Sequence, residues 1–180
     1  MASPRQQASV ARQCGVETKT LLIIWHSRTG GSEALARAAA RGAMTAPEVA
    51  IDLRRADDVS ADALLAADAY LFVAPENLAT LSGAMKEMFD RNYYAVLGQI
   101  EGRPYATIIC AGSDGTGAQR QLDRIATGLR LRRIAEGIIV ITGAQTGEAI
   151  WATKVIGAAE LAAAEQLGAA LAAGLAAGVF

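Results

Sequence analysis

Five apolar runs punctuate the chain, and segments of helical period separate them. The runs are Leu21–Trp25 (LLIIW), about Val49–Leu53, Ala69–Ala74 (AYLFVA), about Tyr105–Ala111 (YATIICA) and about Ile138–Thr142. Their length and their lack of alternation suit strands buried on both faces, as in a parallel sheet. Helices are predicted over Glu33–Met44, near Ala61–Ala67, over Ser82–Tyr94, over Thr116–Leu129, and from Val155 to the C-terminus. Met85, Met88 and Phe89 share one helical face, as do Leu122, Ile125, Ala126 and Leu129, which marks stripes that face a core. The stretch Gln166–Phe180 carries no charge and is too short to span a bilayer. Leu167, Leu171 and Leu175 recur in it every four residues, so it reads as a helix packing on a core or on a partner subunit. Strand and helix alternate without an internal repeat or a linker, which predicts an α/β fold. One domain is expected over residues 20–180. Residues 1–19 contain Arg5 and Arg12 but no apolar core of signal-peptide length, and read as a disordered extension rather than a transit peptide.

The junction after the first run carries the first candidate chemistry. Ser27-Arg28-Thr29-Gly30-Gly31-Ser32 separates the predicted strand from an alanine-rich helix opened by Glu33. The first N–H groups of a helix are orphan donors with partial positive charge, so this position can hold a phosphate. Gly30 and Gly31 allow close backbone approach, and Ser27, Thr29 and Ser32 add hydroxyls. A nucleoside-triphosphate loop would place a lysine after the glycines, and none follows Gly30 or Gly31. A dinucleotide loop would read G-x-G-x-x-G, which is absent, so Asp52 at the end of the second strand carries no ribose assignment. What stands here is S-x-T-G-x-S. The plainer alternative is an ordinary strand-to-helix turn with Ser32 as N-cap.

Composition narrows the classes. The chain has 180 residues, about half of them hydrophobic, which is enough for one sizeable core. A net charge of −1 implies no large basic patch for nucleic acid. Cys14 and Cys110 have no metal-ligand spacing; Cys110 falls in a strand as a small hydrophobe, no disulfide is expected, and a reducing, cytoplasmic location fits. With one histidine the sequence offers no zinc motif and no Ser-His-Asp motif, and no metal is expected. His26 itself reads as a hydrogen-bonded residue at the base of the loop, with a pH switch as the sharper alternative. Trp25 reads as core; Trp151, Tyr93 and Tyr94 read as packing or oligomer contacts, with the lining of a substrate pocket contributed by a neighbouring subunit as the alternative. Arg130, Arg132 and Arg133 read as a solvated face, with a nucleotide 2′-phosphate site as the alternative.

Two further loops are rich in small polar residues. Pro75-Glu76-Asn77-Leu78-Ala79-Thr80-Leu81-Ser82-Gly83 follows the third strand, and Gly112-Ser113-Asp114-Gly115-Thr116-Gly117 follows the fourth. Both can present backbone amides to a polar heterocycle. Turn chemistry also accounts for them: Asp114-Gly115 is a turn signal, and Ser82 is a candidate helix cap.

The S-x-T-G-x-S loop resembles the FMN phosphate loop of flavodoxins. APENLATLSGAMKEMFDRNYY (Ala74–Tyr94) and AGSDGTGAQRQL (Ala111–Leu122) resemble the flavin loops of flavodoxin-family proteins and of NAD(P)H-dependent FMN or quinone reductases, including the tryptophan-repressor-binding-protein-like flavoproteins. The resemblance covers roughly Thr20–Thr142. It implies a flavodoxin-like three-layer sandwich with a five-stranded parallel sheet in order 2-1-3-4-5, whose ligand edge lies outside the carboxyl ends of the strands. It implies FMN as cofactor, with Ser27, Arg28, Thr29, Gly30, Gly31 and Ser32 at the phosphate and Pro75, Glu76, Asn77, Leu78, Ser113, Asp114 and Gly115 at the ring. In one respect the sequence departs from the family: many flavodoxins stack an aromatic side chain on the flavin, and here Leu78 occupies that loop. An exposed ring face and a near-zero charge favour an enzyme over an electron carrier. The activity implied is hydride transfer from NAD(P)H through FMN to a quinone or free flavin, a small-molecule acceptor, by a homo-oligomer (dimer or tetramer) without a membrane span or a nucleic-acid partner. No side chain is nominated as general acid or base, because the cofactor carries the chemistry. The alternatives are an electron-transfer protein without a small-molecule substrate, and a module that keeps the fold but binds no flavin.

Overall fold

The computed structural model describes residues 18–180. All but the last two residues of the expected N-terminal extension, and Cys14 with them, lie outside the described residues. The first strand, β1 (Lys19–Trp25), is followed by α1 (Gly31–Ala43), β2 (Val49–Arg55), a single 3₁₀ turn (Ala56–Asp58) and α2 (Ala61–Ala66). Then come β3 (Ala69–Asn77), β4 (Thr80–Leu81), α3 (Gly83–Val96), β5 (Pro104–Ala111) and α4 (Thr116–Gly128). The chain closes with β6 (Arg132–Arg133), β7 (Ile138–Ile141), α5 (Gly147–Trp151) and α6 (Ala158–Ala177). Among the described residues no helix is long and apolar enough to cross a membrane.

The sheet runs β2-β1-β3-β5, all parallel, and β6 and β7 both lie along the outer side of β5. The predicted order of five strands is therefore present, with the fifth strand in two pieces. β6 pairs with Pro104 and Tyr105 at the start of β5, while β7 pairs with Ile108–Ala111 at its end. The break has a local cause. Thr107 and Gln119 are buried and hydrogen-bond to each other at 2.9 Å, and a Cβ on Gly137 would collide with both side chains. The chain must bulge over this polar pair before it rejoins the sheet.

Alternate residues of each strand feed two cores. Leu21, Ile23, Leu71, Val73 and Ile108 pack beneath α1 and α6. Leu22, Ile24, Tyr70, Phe72 and Ile109 pack beneath α3 and α4, with Met85, Met88 and Phe89 supplying the α3 stripe. Leu171 and Leu175 of α6 are buried in the first core, as their spacing predicts. The helices α1 and α6 lie so close that a Cβ on Gly42 would meet the Glu165 backbone, and one on Gly168 the Ala39 backbone. This contact fixes where α6 begins, and the chain between β7 and α6 must cross the carboxyl edge of the sheet to reach it. The prediction of one helix from Val155 is corrected accordingly. An extended strap crosses the edge, carries the short α5, and gives way to α6 at Ala158.

Candidate functional site

At the carboxyl edge of the sheet the loops after β1, β3 and β5 and the strap after β7 enclose a cavity of about 840 Å³. That is within the usual range of roughly 300–1,000 Å³ for small-molecule and cofactor sites.

The loop after β1 forms the polar end. Gly30 is the N-cap of α1, in the left-handed conformation at φ 87°, and its N–H donates to Ser27 Oγ at 3.0 Å. The first N–H groups of α1 have no intrahelical partner and point to this end of the cavity. Ser32 stands one residue into the helix. It is not the N-cap and not on the surface: it is only 1 % exposed, and its hydroxyl makes no hydrogen bond among the described residues. The thiol of Cys110 lies beside it without completing a hydrogen bond by geometry. A buried polar atom left unsatisfied costs about 1–3 kcal/mol, and such orphans are rare in folded proteins. Gly31 is closely surrounded, since a Cβ there would sit 2.8 Å from Cys110 Sγ and 3.3 Å from Lys154 Cβ. Thr29 is half-buried beside it and Arg28 is exposed at the mouth.

The loop after β3 is a hairpin. β3 continues to Asn77, turns through Leu78 and Ala79, and pairs back as β4. Both turn residues are left-handed, at φ 53° and 58°, the pattern of a two-residue hairpin turn that favours Asn-Gly. Leu78 stands at the tip, 98 % exposed. The hairpin is held against α4: Leu81 N–H donates to Gln121 Oε1 at 2.7 Å, and Gly117 admits the Ala79 carbonyl where a side chain would collide.

Sequence reasoning assigned Glu76 to the ring of a ligand. Its carboxylate is instead engaged in capping α4. It accepts from Gly115 N–H at 2.8 Å and from Ala118 N–H at 3.2 Å, while the residue still lines the cavity. Asp114 and Gly115 are likewise used in the turn. Asp114 accepts from Thr116 Oγ1 at 2.7 Å, and Gly115 is the left-handed N-cap of α4 at φ 84°. Gly30, Asp114 and Gly115 therefore shape the loops without lining the cavity. Ser27, Arg28, Thr29, Gly31, Ser32, Pro75, Glu76, Asn77, Leu78 and Ser113 line the cavity itself.

His26 is at the base of the first loop, as its position predicts. It is buried, donates its N–H to Val73 O at 3.1 Å, and shares a 3.0 Å hydrogen bond between Nδ1 and Ser82 Oγ. Burial holds its pKa below the ordinary histidine value, with opposing effects of Asp57 (raising) and Arg55 and Arg28 (lowering). Trp25 is buried beneath Arg55, whose guanidinium lies 5.0 Å from the ring centre. Arg130, Arg132 and Arg133 lie towards the start of β5, at the opposite edge of the sheet from the cavity; Arg130 pairs with Glu101 at 3.3 Å and Arg133 with Asp123 at 3.1 Å.

Sequence reasoning missed several wall residues. Cys110 and Thr142 stand at the ends of β5 and β7, where the topology brings strand ends to a ligand edge, so their positions were available from strand order. Lys86, Gln121, Ile150 and Lys154 had no local signal. Trp151, read as a packing or oligomer contact with pocket lining as the alternative, is 74 % exposed on the strap and lines the cavity.

A doubly wound parallel sheet with a phosphate-type cradle after its first strand and two amide-bearing loops beside it defines a flavodoxin-like protein. The chain belongs to the NADPH-dependent FMN reductase family, whose sequence pattern matches residues 52–146. The match takes in the loops after β3, β5 and β7 but not the cradle. A flavodoxin of Aquifex aeolicus (strain VF5) is 30% identical over 97 residues, which are 54% of this chain and 50% of that protein. The chain thus spans about half the length of that curated relative. Solved structures share the fold. A flavodoxin from the domain Archaea matches with a TM-score of 0.69 at 17% identity, over 86% of this chain and 96% of its own. A WrbA-like flavodoxin from Agrobacterium tumefaciens matches at 0.60 and 19%, over 88% and 97%. The flavodiiron core of Flv1 from Synechocystis matches at 0.69 and 18%, over 94% and 38%.

Proposed function

We propose that the protein binds FMN in this cavity and uses it to pass hydride from NAD(P)H to a quinone or to free flavin. The observation that carries the reading is Ser32. A buried hydroxyl without a partner, beside a glycine with no room for a side chain, at the head of a thirteen-residue helix, is a donor waiting for an acceptor. A flavin phosphate supplies that acceptor, and the amides of α1 and the hydroxyls of Ser27 and Thr29 complete its surroundings. FMN held there would supply the hydride acceptance and onward electron transfer that no side chain of this chain provides.

The chain's own part is binding, orientation and access. The hairpin and the loop after β5 offer backbone groups to the ring edge, and Glu76 keeps these two loops in fixed register. Leu78 sets an exposed aliphatic wall where an aromatic would shield a ring, which leaves a face for a nicotinamide or quinone to stack on. Glu76 is committed to the α4 amides, and no proton transfer is assigned to it. The exposed Leu78 and Trp151 at the mouth suit cover by a second copy of the chain.

The test is an absorbance spectrum of the purified protein, followed by NADH or NADPH with a quinone present. A yellow protein that oxidises either nucleotide is expected. Colour without turnover on either nucleotide refutes the enzyme reading. Reduction in two resolved one-electron steps would then favour a carrier.

A further inference from the structure

The loop that opens α1 offers amides and hydroxyls, and the strap after β7 brings a lysine to it. Lys154 N–H donates to Thr29 O at 2.7 Å, so the strap is bonded to the cradle loop itself. The lysine's Cβ lies 3.3 Å from where a Cβ on Gly31 would sit, so its side chain starts against the first turn of α1. It shares the cavity wall with Thr29, Gly31 and Ser32. Among the described residues its ammonium has no carboxylate partner. It donates to the carbonyls of Ala149, Ile150 and Ala152 at 2.7, 3.0 and 2.6 Å, and so closes the C-terminal end of α5. An ammonium held by neutral carbonyls, on a side chain that starts against the cradle, gains by exchanging them for an anion, because a bond between two ions is stronger than one to a neutral acceptor. The unpartnered, buried Ser32 hydroxyl independently marks the same spot as a ligand position.

We propose that Lys154 is the cationic member of the phosphate cradle: its ammonium leaves the α5 carbonyls for the ligand's phosphate, which ties the strap and Trp151 to occupancy of the site. This rests on the FMN reading above and deepens it. Two consequences follow. Lys154 discriminates the phosphorylated flavin from riboflavin, which has no phosphate for it to meet. Phosphate binding also withdraws the cap from α5, whose last residue is Trp151, so the strap rearranges at its exposed tryptophan.

Fluorescence titrations of the full chain with FMN and with riboflavin, for wild type, Lys154→Met and Lys154→Arg, test the assignment. Lys154→Met should weaken FMN binding at least tenfold, leave riboflavin binding within about twofold, and flatten the salt dependence of FMN binding. Lys154→Arg should recover most of the loss. In wild type, inorganic phosphate should change acrylamide quenching of tryptophan fluorescence, which reports on Trp151 because Trp25 is buried, and it should not do so in Lys154→Met. Equal FMN affinity in wild type and Lys154→Met overturns the proposal and leaves FMN binding standing. Parallel loss of FMN and riboflavin affinity also overturns it, because the lysine would then only hold the strap. A wild-type protein that binds no FMN overturns both readings.

Discussion

Replacing Glu76 with alanine should loosen two walls of the cavity at once. The half-buried carboxylate sits on β3 and accepts from two N–H groups at the start of α4, Gly115 at 2.8 Å and Ala118 at 3.2 Å. Hydrogen bonds to a charged acceptor contribute roughly 1.5–3 kcal/mol each, and a negative charge at a helix N-terminus adds about 0.3–1 kcal/mol. The two bonds share one carboxylate, and water can reach part of the exposed amides after truncation, so the terms do not add in full. A net loss of about 2–3 kcal/mol is expected. At roughly 2–4 °C per kcal/mol for a domain of this size, the melting midpoint should fall by about 4–12 °C. Thermal denaturation followed by circular dichroism, without flavin, measures this directly. Glu76→Gln keeps one acceptor without the charge and should recover about half of the loss. FMN affinity should fall with stability, because the hairpin and the loop after β5 would no longer be held in register. A midpoint within about 1 °C of wild type for Glu76→Ala would refute the idea that this carboxylate joins the two loops.

Other perturbations have defined signs. Ser32→Ala should separate stability from binding: removing an unpartnered buried hydroxyl leaves the flavin-free protein as stable or up to about 1 kcal/mol more stable, while FMN affinity measured by fluorescence drops. Loss of stability with unchanged affinity would contradict the cradle. Gly31→Ala should cost about 1–3 kcal/mol, because its Cβ falls 2.8 Å from Cys110 Sγ, and the double variant with Cys110→Ala should regain part of that in a urea titration. His26, the chain's one histidine, has a pKa held below its unfolded value by burial, so the unfolded state takes up its proton first as pH falls. Its contribution should be intact above about pH 6.5, decline below that pH, and level off under the folded pKa. His26→Gln should flatten that part of a stability-against-pH curve, and an unchanged slope would place the proton uptake elsewhere.

Much of the fold was legible because a strand buried on both faces writes an unbroken apolar run. Leu21–Trp25 and Ala69–Ala74 each became a central strand, and the Met85, Met88, Phe89 stripe entered the core it predicts. The split fifth strand was not legible, since its cause is a Thr107–Gln119 hydrogen bond between elements that only the folded chain brings together. The hairpin was hidden for a related reason. Leu78-Ala79 carries none of the residues that favour two left-handed positions, and these cost roughly 1–2 kcal/mol per residue. The contacts of Glu76, Leu81 and Ala79 with α4 impose the turn from outside. At the site, short-range signals sufficed for the loop after β1, whose glycines and hydroxyls are consecutive in sequence. They did not show that Ser32 is buried, and they failed for Lys154, whose N–H reaches the carbonyl of Thr29 across the strap.

These distant contacts form a closed circuit around the cavity. The loop after β1 is joined to β3 and the start of α3 through His26, by its N–H to Val73 and its ring to Ser82. The β3 hairpin is joined to α4 through Glu76 and Gln121. The end of β5 is joined to the end of β7, where Thr142 donates to Ala111 O through both its N–H, at 2.9 Å, and its hydroxyl, at 3.1 Å. The strap then returns to the starting loop through Lys154 and Thr29. Every loop that borders the site is thus held by a neighbour as well as by its own strand. A ligand that enters such a frame loses less free energy to ordering the protein, because the folded chain has already fixed the geometry. The exception is informative. Leu78 and Trp151 border the cavity without being tied into the circuit by their side chains, and both are strongly exposed. Fixed polar contacts around the cavity and two exposed apolar side chains at its mouth fit the proposed division between a cofactor that is held and a substrate that exchanges.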